Sequence, residues 1–150
     1  MIATSVAYDL VFLTHIVAAL DIVIVLIVMR TSAMAIVRGA DAAAQKAKFL
    51  GRRNWAARVL HVLPVTGLIL SLNGDNAVSL TRPWIGVGLG CYVLAAGHLE
   101  ARTLPLERMV ADVIDHDGVA PPERGRQLVT SVDVLMGLVG VALVAMLVQF

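Results

Sequence analysis

His15 and Asp21 both lie inside the stretch "FLTHIVAALDIVIVLIVMR", which is apolar enough to cross a bilayer. Three further apolar stretches carry ionisable residues of their own: Arg58 and His61, then His98, then Asp133. A charged side chain at the centre of a membrane helix costs about 2.5–3.5 kcal/mol even on lenient scales, so such residues turn toward a bundle interior and serve a purpose there. Neutral imidazoles can ligate a haem or metal. Imidazole mixed with carboxylate suits Zn²⁺, Mn²⁺ or a proton relay, and carboxylate facing guanidinium suits a structural pair.

Composition sets the solvent in which these groups must work. The chain of 150 residues is 59% hydrophobic, only 15% charged, and has a mean hydropathy of +0.84, far from the balance of a soluble domain and matched to a bilayer. A net charge of +1 with no basic stripe excludes nucleic acid as a partner. The single Cys91 has no disulfide partner within the chain and lies in an apolar segment, so it reads as buried and inert.

Four stretches approach the roughly 20 residues that span the hydrocarbon core: Ala7 to Met29, Trp55 to Leu72, Trp84 to Ala101 and Leu128 to Val148. The fold expected is an all-α, membrane-embedded four-helix bundle forming one domain over 1–150. The first stretch lacks a basic n-region and a cleavage site, so it reads as a retained anchor. Between spans two and three, "LNGDN" and "LTRPW" bracket a short turn, with Pro83 suited to open a helix; those spans are antiparallel neighbours. The connection over 30–54 continues helically beyond the membrane. That over 102–127 reads as an amphipathic helix from Pro105 to about Ile114, followed by turns through "DHDG" and "APPE". Asp112, Asp115, His116 and Asp117 lack calcium-loop spacing and read as a solvated acidic turn.

Of the 12 Lys and Arg residues, all but Arg82 lie in or beside those two connections, which the positive-inside rule assigns to the cytoplasm, with both termini outside. At 1.5 Å per residue from the outer ends, Asp21, Arg58, His98 and Asp133 fall roughly 21 to 23 Å deep, His61 roughly 17 Å and His15 roughly 12 Å. The first four form one polar layer, in which Asp21 and Asp133 face Arg58 and His98 as structural charges. His15 stands apart. It is also about 240° round the helix from Asp21, at 100° per residue. Thr130, Asp133, Gly137 and Gly140 recur at helical spacing, as do Gly90, Cys91, Leu94, Gly97 and His98, and these small-residue faces are expected to be interior. Arg58, His61, Pro64 and Leu68 share a side of the second span, where Pro64 is expected to kink the helix beside His61, and Gly67 admits a close neighbour.

The segments "LTHIVAA", "LPVTGLILSL", "RPWIGVGLGCYVLAAG" and "RGRQLVTSVDVLMGLVGVALVAMLVQF" resemble, over nearly the whole chain, a bacterial family of small four-helix predicted integral membrane proteins of unknown function. His15, Pro64 with Gly67, and Pro83 with Trp84 carry most of the likeness. That family is in turn distantly similar to the copper-resistance D membrane domain and to the small four-helix bacterial protoporphyrinogen oxidase, which binds haem b through membrane histidines. The resemblance implies the bacterial inner membrane and a role for His15 in holding a b-type haem; Asp21 departs from it, standing where a small residue is expected. His15 with His61, or His61 with His98, would then supply the imidazoles. Thr14 or Thr66 would accept the other ring N–H, and the glycines at 67, 90, 97, 137 and 140 would leave room for the macrocycle. Two other readings stand beside a redox protein: an accessory membrane protein held by its polar layer, alone, as a homo-oligomer or with a partner subunit, and a metal or proton site built from Asp21, His61, His98 and Asp133.

The charge asymmetry generates a test. A periplasmic reporter fused at the C-terminus should be active and one inserted at position 45 silent; the reverse pattern overturns the orientation.

Overall fold

The computed structural model describes residues 2–49, 54, 56–73 and 80–148, with side chains from Val6 onward. It is all helix: α1 (Ile2–Val37), the short α2 (Ala42–Lys48), a 3-10 segment (Ala56–His61) running into α3 (Val62–Asn73), α4 (Pro83–His98), a π-helical turn (Leu99–Thr103), α5 (Leu104–Asp117) and α6 (Pro122–Val148). Val6–Val37, Ala56–Asn73, Pro83–Asp117 and Pro122–Val148 are each long and apolar enough to cross a membrane. The chain is a multi-pass membrane protein built as an all-α bundle. α1 packs against α3 and α6, and α4 against the same two; α1 and α4 therefore face each other across a diagonal. The start of α1, the last turn of α3, the first turn of α4 and the end of α6 lie at one end of this bundle, the terminal end. The end of α1, the start of the 3-10 segment, α5 and the start of α6 lie at the other, the connection end.

Heptad-like spacing builds the core. Ile22, Leu26, Met29, Ala33 and Ile36 of α1 are buried against Leu128, Val132, Leu135, Val139 and Ala142 of α6, at intervals of three and four that keep one stripe aimed at the neighbour. The opposite stripe of α1, Leu13, Val17, Leu20 and Ile24, is more than half exposed. Such a row would drive aggregation in water, but lipid chains cover it at no cost.

Several boundaries differ from those the hydropathy suggests. α1 has 36 residues, about 54 Å of helix against about 30 Å of hydrocarbon, so it projects well past Met29 at the connection end. The third span does not stop at Ala101. Pro105 has no N–H to return to the Ala101 carbonyl, and the chain bridges this place with a π turn in which the Leu104 N–H bonds Leu99 O, carrying α4 directly into α5. The helix then runs through Asp115, His116 and Asp117, and the turn begins only at Gly118, whose φ of +81° suits a residue without a Cβ. The expected kink at Pro64 takes another form: the turn before it is 3-10, so Pro64 falls at the start of α3, where a missing N–H costs little. Pro83 opens α4 as expected. The turn between spans two and three falls partly on 74–79, and Arg52, Arg53 and Trp55 also lie outside the described residues. Cys91 is half-buried against the core.

The small-residue stripes face the opposite way from expectation. Gly90, Gly97 and Gly137 are exposed, and a Cβ at any of them, or at Gly140, would meet nothing within 4 Å. Thr130 and Asp133 share that outward face. The reason is volume: the neighbouring stripe of Leu, Val and Ala already fills the interface. Among the described residues the glycine packed most tightly at a helix crossing is Gly125, where a Cβ would stand 2.9 Å from Val37 Cγ2, 3.0 Å from Ile36 Cβ and 3.1 Å from the Ala33 carbonyl oxygen.

Gly125→Ala should therefore push α6 off α1 and lower stability by about 1–3 kcal/mol, whereas Gly137→Ala should be neutral or slightly stabilising. Thermal unfolding of both variants in detergent decides it, and equal melting would mean that α1 and α6 do not cross at Gly125.

Candidate functional site

Two polar levels stand out, one charged and one neutral. At the connection end the charged groups pair locally. Arg30 Nε donates to Asp133 Oδ1 at 2.6 Å, with both side chains more than 40% exposed. Arg58 donates through Nε and Nη2 to the two oxygens of Glu100, at 2.9 and 3.4 Å. His61 Nε2 stands 3.8 Å from the same carboxylate, while its Nδ1–H donates to the Arg58 carbonyl at 3.1 Å. His98 Nε2 contacts Ser131 twice, at 3.0 Å to Oγ and 3.2 Å to the carbonyl; since a carbonyl only accepts, that nitrogen carries the proton. Thr103 Oγ1 closes the group at 2.8 Å from Ser131 Oγ.

This level is not the layer expected. Asp133 finds Arg30 rather than Arg58 or His98, because the outward face of α6 meets the flank of α1. Arg58 finds Glu100, one helical neighbour away. Asp21 is half-buried on the flank of α1 and makes no hydrogen bond or ion pair among the described residues. Arg30, Glu100, Ser131 and Thr103 were the unforeseen members. Arg30 and Glu100 sit beside span boundaries, where hydropathy counting treats a charge as the end of a span and not as part of it. Among the described residues no group of three or more His, Cys, Asp or Glu gathers as a metal site, so Asp21, His61, His98 and Asp133 are not brought together.

The neutral level lies toward the terminal end. His15 is 6% exposed and its Nδ1 lies 2.7 Å from Thr66 Oγ1. Thr66 in turn donates to the Val62 carbonyl at 2.7 Å, the usual back-bond of a helical threonine. A hydroxyl has one hydrogen. With that hydrogen on the Val62 carbonyl, Thr66 accepts from His15 Nδ1–H, and His15 is the tautomer whose Nε2 holds a lone pair. The alternative would forfeit the Val62 bond, so the buried setting selects the first. Thr66, and not Thr14, is thus the partner of the ring: Thr14 is exposed and bonds only its own helix at Leu10 O. Gly67 lies against the ring: a Cβ there would stand 3.4 Å from His15 Cε1, at van der Waals contact.

His15 Nε2 faces a cleft of about 420 Å³ between α1, α3, α4 and α6, within the range of small-molecule sites. Its walls are almost wholly apolar, and among the described residues no Asp, Glu, Lys or Arg lines it. Phe12 and Ile16 at its rim also face the lipid side. Tyr92 in the wall is 1% exposed, and its hydroxyl is fully enclosed with no hydrogen-bond partner among the described residues. Neither His61 nor His98 lines this cleft; by helical rise they lie about 8–9 Å farther toward the connection end than Thr66 and Tyr92.

Thr66→Val keeps the shape of the side chain and removes its hydroxyl, which strands His15 Nδ1–H. It should cost about 1–3 kcal/mol, while Thr14→Val should cost close to nothing. Melting curves of the two variants in detergent measure the difference, and equal values would mean that the His15–Thr66 bond is not formed.

No family model, curated protein or solved structure matches the chain.

Proposed function

We propose that this membrane protein binds a lipid-soluble, largely apolar group in the cleft at the terminal end of the bundle, with His15 Nε2 as its point of attachment. The observation that carries the reading is the fixed tautomer: Thr66 holds Nδ1–H, so a buried imidazole turns an unshared lone pair into an otherwise apolar space. A ligand that supplies a donor or a metal would meet that lone pair.

A b-type haem, the group implied by the resemblance, fits this cleft in part. His15 and Thr66 supply a ligand nitrogen with its orienting hydrogen bond, and the apolar walls suit a macrocycle, which when bound would supply one-electron chemistry. The second imidazole is not at hand, since His61 and His98 lie outside the cleft, and among the described residues no Arg or Lys lines it for the propionates. A haem here would hang on one imidazole. With the termini outside, the cleft opens in the outer leaflet of the bacterial inner membrane.

The test is what travels with the protein out of the membrane. Full-length protein purified in mild detergent should release a small apolar compound on solvent extraction, and His15→Ala should lose at least nine-tenths of it, while Leu94→Ala on the lipid face should not. A Soret band lost in His15→Ala would assign the cleft to haem. Identical extracts from wild type and His15→Ala would overturn the reading.

A further inference from the structure

The apolar stretch of α1 runs from Leu10 to Met29, between Asp9 and Arg30, and its 20 residues rise about 30 Å, the thickness of the hydrocarbon core. Asp21 lies near the middle, about 18 Å from Asp9 and about 14 Å from Arg30 along the axis. A lysine or arginine at such a depth reaches for the surface on a long stem, but aspartate has a single methylene. A polar group held there is expensive unless something meets it. Among the described residues nothing does: Asp21 makes no hydrogen bond or ion pair, while Arg30 and Arg58 are engaged with Asp133 and Glu100.

The surface around Asp21 has a regular form. Leu10, Thr14, Val17, Asp21, Ile24 and Val28 recur at alternating intervals of four and three, the spacing that keeps one line of side chains turned toward a parallel helix. Leu10, Val17, Ile24 and Val28 are each more than half exposed, and Thr14 is exposed as well. At 100° per residue this line lies about a third of the way round α1 from the core stripe through Ile22 and Leu26, on the side away from Phe12 and Ile16 at the cleft rim. An apolar line alone is served equally well by lipid. The Thr14 hydroxyl hydrogen is spent on the Leu10 carbonyl at 2.8 Å, so Asp21 is the group on the line that lipid leaves unmet.

We propose that two copies of this protein pair through this line of α1, with the two Asp21 carboxyl groups bonded to each other across a twofold axis along the membrane normal. Copies inserted with one topology stand the same way up, so such an axis sets every level of α1 against itself. A second copy therefore delivers a carboxyl group at the one depth where a polar partner is needed, and apolar side chains at the levels where they are wanted. A carboxyl that carries its proton is donor and acceptor at once, so two of them holding at least one proton between them hydrogen-bond directly. One polar contact within an apolar seam also fixes register and the number of helices that meet. The cleft at His15, on the other side of α1, stays open to lipid in this pair.

The experiment is oxidative cross-linking of the full-length protein in the membranes of the expressing cells, in a Cys91→Ala background so that each introduced cysteine stands alone. Val17→Cys and Ile24→Cys, on the line, should give disulfide-linked dimers. Leu20→Cys should not, although Leu20 is 63% exposed and more open than either, because it is turned off the line. Adding Asp21→Leu should cut the cross-linked fraction about threefold or more, the worth of one interhelical hydrogen bond in lipid. Asp21→Asn, whose amide both donates and accepts, should keep the dimer, and His15→Ala should leave it unchanged. In dilute detergent, as a monomer, the Asp21→Leu protein should melt no lower than the wild type, since it gives up no bond within the chain. Lower melting assigns Asp21 to the bundle itself and overturns the pairing. So does equal cross-linking at positions 17, 20 and 24, which is random collision, and so does cross-linking that is absent or indifferent to Asp21→Leu. An Asp21-dependent link to a different membrane protein, in place of the dimer, also overturns it.

Discussion

Hydrocarbon offers no hydrogen bonds, and every feature of this bundle follows from how its few polar groups cope with that. Backbone groups are satisfied within helices, so the described residues contain helices and short connections. Where Pro105 breaks the ladder, the chain answers with a π turn rather than an open end. Four charged side chains pair across adjoining helices: Arg30 with Asp133, and Arg58 with Glu100. His15 is the exception that gives the molecule its interest. Only one of its two ring nitrogens is satisfied from within the protein.

The fold was largely legible in the sequence, because a span needs only a long apolar run, and four such runs are present. Boundaries were less so. Hydropathy ends the third span at Ala101, yet the backbone has no reason to stop where polarity begins, and α4 passes through the π turn into α5 without a loop. The inward faces were misjudged for a related reason. Gly90, Gly97 and Gly137 look like packing positions, but a small residue packs only where bulk is absent beside it, and here the Leu and Val stripe of α6 already fills the space. Gly125 does bring helices together, and it lies in a charged stretch where no packing motif is conspicuous.

The candidate site shows the same division. His15 was identifiable as an ionisable residue at a level with no charged neighbour, and Thr66 and Gly67 were identifiable as candidates for its support. The separation of His15 from His61 and His98 was not, because depth along a helix says nothing of which gap a side chain enters. His61 points toward Glu100 and His98 toward Ser131, and both choices depend on residues of other helices. Likewise, the pairing of Asp133 with Arg30 could not be read from depth alone, since it rests on the rotation of α6 against α1.

The two polar levels therefore do different work, and their chemistry says which. At the connection end every carboxylate and guanidinium of the level already has a counter-charge, and His98, Ser131 and Thr103 satisfy one another; a ligand arriving there would have to break a bond to make one. At the terminal end the arrangement is reversed. Thr66 spends its hydrogen on its own helix and its lone pair on His15, which leaves the imidazole fixed in orientation, neutral, and with a lone pair unspent. Tyr92, fully buried nearby, has also kept its hydroxyl unspent. A phenylalanine at position 92 would pack there without the cost of a buried, unpaired hydroxyl. On the reading proposed above, the neutral level, and not the charged one, is where an incoming molecule would meet a polar group that the bundle has not already used.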